Sequence, residues 1–280
     1  MQKSLLMTAA LLAMTSVASA QLLVTEDFSY ADATPLVGAV NAAGTWAESS
    51  AGINPLTVGA TSVTYGGTGL PASTGGSLFL NDNGQDAALP FGAQTMADGE
   101  SLYYSLTFVH DGTDIGGTGG NYFAMLTDGT DPLGFLFRAR LFAADDGTGA
   151  MQLGIAYSSV SAQGVVSYVT GKNIAANTPA FVVVKLTRVA GTANDTASVF
   201  VFTGTTSVPD TEPAADATTV PVAGTIDFAD IGLFGLRQGT TTLSAKLTVD
   251  GIRVGRTWAD VGGSGSVGPA SAEQSWEMYE

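Results

Sequence analysis

The chain has 280 residues, no cysteine, and 25 acidic against 10 basic side chains, for a net charge of −15. A polyanion repels phosphate backbones, so nucleic acid is excluded as a natural partner, and anionic membrane surfaces are disfavoured. Disulfide staples are excluded too, and a chain of this length does not need them, since it can bury about three quarters of its unfolded surface.

The first element reads as a leader. Lys3 gives a positive start, residues 5–17 form an uncharged and mostly apolar run, and Ala18-Ser19-Ala20 is a small-x-small cleavage site. That order is the signature of a secretory signal peptide over 1–20, so the expectation is bacterial-type export with Gln21 as the first mature residue. The apolar run is shorter than the ~20 residues of a spanning helix. No later stretch replaces it, and membrane insertion is not expected.

From Gln21 onward the composition is that of strands. Gly, Thr, Val, Ala and Phe dominate, and the helix formers Glu, Lys and Gln are sparse. Short apolar runs alternate with turn clusters such as Asn81-Asp82-Asn83-Gly84, Asp111-Gly112, Asp128-Gly129 and Asp145-Asp146-Gly147. In chain order, strands are predicted near 22–28, 56–58, 62–65, 77–80, 101–110, 122–126, 135–142, 151–157, 165–169, 181–189, 198–202, 231–236 and 243–250.

Four of these carry clear alternation. Leu102, Tyr104, Leu106 and Phe108 fall on one face, with Tyr103, Ser105, Thr107 and Val109 on the other. Ala139 and Leu141 share an apolar face with Phe135 and Phe137, opposite Leu136, Arg138, Arg140 and Phe142. Val182, Val184 and Leu186 oppose Lys185 and Thr187. Leu243, Ala245, Leu247 and Val249 oppose Ser244, Lys246, Thr248 and Asp250, which places Asp250 away from the core. One apolar face per strand is the pattern of antiparallel sheets packed face to face. The predicted fold is therefore all-β: one antiparallel β-sandwich over 21–261, a large jelly roll with two broad sheets. Residues 209–221 read as a surface loop. Residues 262–280 read as a flexible Gly/Ser-rich linker and C-terminal tail.

Little in the sequence supports covalent or acid–base catalysis. His110 is the only histidine, and no Gly-x-Ser-x-Gly elbow supplies a nucleophile. Zinc usually needs several His or Cys ligands. Calcium takes oxygen ligands, which the Asp/Asn/Gly loops offer, yet the loop from Asn81 to Asp86 lacks a closing Glu. Carbohydrate binding needs aromatic platforms and polar side chains on one face. Tyr103, Arg138, Arg140, Phe142 and Lys185 could project from one sheet as such a ligand-binding set, or could pack under loops and snorkel at an edge.

Both ends of the predicted domain carry a resemblance. Glu26-Asp27-Phe28-Ser29-Tyr30, Trp46, Asn54-Pro55-Leu56-Thr57-Val58 and Ser62-Val63-Thr64-Tyr65-Gly66 open it. Leu247-Thr248-Val249-Asp250-Gly251-Ile252-Arg253-Val254-Gly255, then Thr257-Trp258-Ala259-Asp260-Val261, close it. These segments resemble secreted concanavalin-A-like proteins of planctomycete and verrucomicrobial type. The resemblance implies a jelly roll of lectin/glucanase type whose first and last strands lie side by side. The closing strand also resembles that of laminarinase-type glycoside hydrolases, several of which hold a structural calcium there. The matching positions here are Asp250 with Glu26 or Asp27. Those enzymes place Glu-x-Asp-x-x-Glu on one strand, so that period two aims the carboxylates into one cleft. The nearest segment here, from Thr225 to Asp230, lacks both glutamates.

Three functions follow as expectations. The first is a secreted, non-catalytic module binding a polysaccharide or cell-surface glycan. The second is a self-associating structural protein of the envelope or an extracellular assembly. The third is a divergent glycan hydrolase or lyase.

Overall fold

A computed structural model describes residues 21–71, 73–81, 83–134, 136–158, 164–222, 224–239 and 244–263. The expected signal peptide and almost all of the expected tail lie outside these residues. The strands are β1 (Leu22–Glu26), β2 (Ala47–Ser50), β3 (Val58–Gly59), β4 (Ser77–Leu80) and β5 (Asp86–Thr95). They continue with β6 (Ser101–Val109), β7 (Asn121–Asp128), β8 (Phe137–Asp145), β9 (Met151–Ser158) and β10 (Ser167–Tyr168). The last are β11 (Ala180–Thr187), β12 (Thr196–Thr203), β13 (Ala217–Thr218), β14 (Asp230–Leu236) and β15 (Leu247–Gly255), followed by a short helix α1 (Trp258–Gly262).

They form two antiparallel sheets packed as a jelly-roll β-sandwich. The eight-stranded sheet runs β13-β12-β11-β6-β15-β4-β3, with β1 also paired to β15. The seven-stranded sheet runs β10-β9-β8-β7-β14-β5-β2. Chain neighbours often sit in different sheets, and the first and last strands lie side by side, with Val24 opposite Val254.

The alternating residues fill the space between the sheets. Leu102, Tyr104, Leu106 and Phe108 of β6 are fully buried, as are Val182, Val184 and Leu186 of β11. Aromatic rings bridge the layers: Tyr104 meets Phe234 edge-on at 5.4 Å, and Phe108 meets Phe123 at 5.9 Å. The Tyr104 hydroxyl is satisfied inside the core, donating to the Ala139 carbonyl at 2.8 Å. Glu26 also points inward. Its carboxylate accepts from the Phe28 amide at 2.7 Å, the Tyr30 hydroxyl at 2.8 Å, Asn41 Nδ2 at 3.0 Å and Trp46 Nε1 at 2.9 Å. Those donors pin the segment after β1 across the end of the sandwich.

Several expectations are corrected. Residues 62–65 are not a strand but part of a loop laid over β15. The final strand begins at Leu247 and runs on to Gly255, past the expected end at Asp250. The segment 209–221 contains β13. Gly262 closes α1 instead of opening a linker. The helix has a capping box, with Thr257 as N-cap and Asp260 at its third position. Asp260 also accepts from the Gln21 amide at 3.2 Å, which ties the start of the described domain to its last helix.

Candidate functional site

The five residues expected to share one sheet are divided between the two sheets. Tyr103 (β6) and Lys185 (β11) are direct neighbours on the eight-stranded sheet. Arg138, Arg140 and Phe142 lie on β8 in the seven-stranded sheet. The sandwich core stands between the groups, so no single ligand face can use all five.

The outer face of the eight-stranded sheet is closed. Tyr65, Phe181, Val183, Phe200, Phe202, Val208, Trp258 and Val261 form a second apolar cluster there, beneath α1 and two loops. Trp258 packs edge-on against Phe200 at 5.1 Å and donates from Nε1 to the Pro209 carbonyl at 2.8 Å. Tyr103 and Lys185 are held by a residue of the covering loop, Glu212, at 2.6 and 2.7 Å.

The outer face of the seven-stranded sheet is built differently. On β7, Ala124 and Leu126 point inward and Tyr122 outward, directly opposite Phe142 of β8. Arg140 follows two residues before Phe142 on the same side. Arg237 follows the inward Leu236 at the end of β14 and so turns outward. The three strands are adjacent, which brings both arginines to one ring. The Arg237 and Arg140 guanidinium carbons lie 4.4 and 4.9 Å from the Tyr122 ring centre, within cation–π range. Arg140 also lies 5.2 Å from the Phe142 ring. Ala139, between Arg138 and Arg140, takes a positive φ of 46°, a strained conformation for a residue with a Cβ.

Two glycines shape the floor of this face. A Cβ on Gly235 would come within 2.6 Å of the Met125 methyl group, and one on Gly154 within 2.5 Å of Val166. Their absence lets those side chains lie flat across the sheet.

The arginines differ in role. Arg138 is structural: it pairs with Asp128 at 3.0 Å, donates to Ser158 Oγ at 2.7 Å, and is nearly inaccessible. Arg140 donates to the Ser158 carbonyl and has no carboxylate at ion-pair distance among the described residues. Its Nε is buried without a partner. Burial pushes its pKa down, and the Arg237 charge adds to that despite the opposing influence of Tyr122. Arg237 donates to Asn121 Oδ1 at 2.8 Å and reaches Asp86 only at 3.8 Å. Half-buried Tyr122 thus sits between two incompletely neutralised cations on a chain of net charge −15. The face thus combines an amphipathic ring with two guanidinium groups, Arg140 largely buried and Arg237 part-exposed.

The three residues expected to hold calcium are near one another but split between the core and the outer face. Glu26 faces the core, whereas Asp27 and Asp250 face outward on the eight-stranded sheet. Asp250 is directed away from the core as expected, yet it is fully buried beneath the loop over β15. It accepts from Ser62 Oγ at 2.6 Å, the Val63 amide at 2.8 Å, Ser73 Oγ at 2.8 Å and the Gly251 amide at 2.6 Å. Burial raises its pKa against the pull of those four donors. Asp27 is raised by burial first, opposed by Arg253, with Asp250 and Glu26 adding to the rise. No group of three or more His, Cys, Asp or Glu able to hold a metal occurs among the described residues.

The segment nearest to a glycosidase motif serves the fold. Asp227 accepts from the Ala193 and Asn194 amides at 3.0 and 3.2 Å, and Asp230 accepts from the Thr95 hydroxyl at 2.6 Å. His110 is buried, with Nε2 3.1 Å from the Ile174 carbonyl and Nδ1 accepting from the Gly112 amide.

No protein-family description and no curated protein matches the sequence. Solved structures do resemble the fold. Alginate lyase vAL-1 from Chlorella virus has a TM-score of 0.49 at 8% identity, covering 84% of this chain and 100% of that one. An endo-1,3-beta-glucanase from Streptomyces sioyaensis has a TM-score of 0.44 at 12% identity, covering 87% and 98%. Domain 4 of AbnA, an extracellular arabinanase from Geobacillus stearothermophilus solved with arabinotriose, has a TM-score of 0.42 at 14% identity, covering 85% and 93%.

Proposed function

We propose that this chain is an exported, non-catalytic carbohydrate-binding protein that holds a polysaccharide against the outer face of its seven-stranded sheet. The observation that carries the reading is the Tyr122 ring flanked by the Arg140 and Arg237 guanidinium groups. A sugar chain presents hydroxyl oxygens to the donors of such guanidinium groups and C–H groups to the part of the half-buried ring they leave exposed. A surface spread over three strands also suits an extended chain better than a closed pocket does. Export fits a ligand found outside the cell, and an intact mass beginning at Gln21 checks that part.

The test is affinity electrophoresis of the mature protein through gels containing β-glucans, arabinans, xylans or uronate-rich polysaccharides. Retardation by at least one is expected, with Tyr122→Ala and Arg237→Ala each restoring free migration. Free migration of the parent in every gel, or retardation unaffected by both substitutions, overturns the reading.

A further inference from the structure

We infer that the cavity over Arg253 is a second ligand site, built for one neutral sugar ring or a similar small polyol. It lies on the outer face of the eight-stranded sheet, across the sandwich from Tyr122. It stands or falls independently of the face proposed above.

A bulge creates the site. Strict alternation from Val249 would send Arg253 inward. Gly251, at φ +60°, inserts one extra residue between Asp250 and Arg253 and shifts the register against β6. Asp250 and Arg253 therefore both point outward, opposite Thr107 and Ser105. Residues 62–71 and Ser73 lie over them and leave a cavity of about 180 Å³. Arg253, Thr107 and Ser73 supply polar walls, while Tyr65, Leu70 and Pro71 supply apolar ones.

Arg253 is only 8% exposed. Yet among the described residues its side chain makes no hydrogen bond and no ion pair. A guanidinium carries five N–H donors, and burying them unused is costly. The Nε atoms of Arg138 and Arg140 are sealed off, but no nitrogen of Arg253 is. Its donors open into the cavity.

The surrounding charges select the ligand. Burial pushes the pKa of Arg253 down, and Asp27 and then Asp250 oppose that from a distance, though neither closes on it. Both Asp250 oxygens are taken by other donors. The counter-charge is thus already present at a distance. An anion entering here meets two carboxylates as well as the guanidinium. A neutral acceptor meets the free donors without that repulsion. Hydroxyl and ring oxygens facing Arg253 and Thr107, with C–H groups against Leu70, Pro71 and Tyr65, satisfy both kinds of wall. The volume is below the ~300 Å³ at which drug-sized pockets begin, which suits one ring and not a chain.

The experiment is calorimetric titration of the mature protein with glucose, galactose, mannose, xylose, arabinose and glycerol, with glucuronate as the charged comparison. At least one neutral compound should bind, and more tightly than glucuronate. Arg253→Lys keeps the charge for Asp27 and Asp250 but loses the planar fork, and should weaken binding roughly tenfold. Thr107→Val leaves every charge in place and should also weaken it, which keeps the test decisive if Arg253→Lys fails to fold. Tyr122→Ala should leave this binding unchanged. Absence of any neutral ligand, preference for glucuronate, full binding by Thr107→Val and any folded Arg253→Lys, or loss through Tyr122→Ala would each overturn the assignment.

Discussion

The two outer faces of the sandwich differ in the side chains their strands present. On the eight-stranded sheet, outward positions of β11 and β12 are Phe181, Val183, Phe200 and Phe202, all buried under α1 and the loops. On the seven-stranded sheet, outward positions around β7 and β8 include Tyr122, Arg140 and Phe142, with Phe137 and Arg237 beside the Tyr122 ring. An apolar outer face must be roofed, because a bare patch of that kind drives association. A face of arginine and aromatic residues is amphipathic instead: Arg140 and Phe142 are buried there, and Tyr122 is half-buried beside them. On the reading proposed above, one sheet serves stability and the other recognition, and the Arg253 cavity is a local gap in the cover of the first.

The largest effect that can break this comparison is on the roofed side. Trp258→Ala removes the ring packed on Phe200 and Phe202 and the bond to the Pro209 carbonyl. A loss of about 4 kcal/mol is expected in urea unfolding, the usual scale for truncating a large buried aromatic. Binding to polysaccharide should persist at temperatures where the variant is folded. A loss below about 1 kcal/mol would mean that the helix is not a structural cover.

A smaller effect sharpens the open side by separating its arginines. Arg138→Ala leaves Asp128 buried without its ion-pair partner and should cost about 3 kcal/mol. Arg237→Ala breaks a half-buried contact and should change stability by less than about 1 kcal/mol while removing binding. Similar stability losses for both variants would erase the distinction between a structural and a ligand-facing arginine.

Much of the roofed and core architecture was legible from alternation, because β6, β11 and β12 obey period two without interruption. Strand β5 was missed because Pro90 and Gly92 break its pattern. The fold tolerates Pro90 beside a register shift on β14, opposite Leu233. Strand β2, Ala-Glu-Ser-Ser, carries no apolar signal, and α1 is too short to show a helical period. Of the open face, Arg140 and Phe142 were read correctly as outward from β8. Arg237 was missed because it lies one residue past its strand, and Tyr122 because its face depends on a bulge between β7 and β8. The Gly251 bulge hid Arg253 in the same way: one inserted residue exchanges the faces that period two predicts. Sequence pattern also gave no means to tell which sheet each strand joins, and so merged Tyr103 and Lys185 with a set on the opposite face.

The smallest expected effect sits where the roof meets the chain ends, and it asks whether protons or calcium relieve the crowded carboxylates there. Asp27 keeps one oxygen buried without a partner, and its pKa in the folded protein is raised from 3.8. Between the unfolded and folded values the folded protein holds more protons than the unfolded chain, so stability must fall as pH rises through that window. The same sign holds for Asp250. Melting temperature should therefore increase as the pH is lowered from neutral toward that window, and Asp27→Asn should flatten the increase. Calcium would act on the same repulsion at neutral pH. However, Glu26 faces the core, and both it and Asp250 are occupied by neutral donors. Melting in calcium and in EDTA should thus coincide. A calcium-dependent rise that Asp250→Ala abolishes would show that a cation displaces those donors, and would make the chain-end junction a metal site. A pH profile unchanged by Asp27→Asn would instead place the acid response in the overall charge of −15.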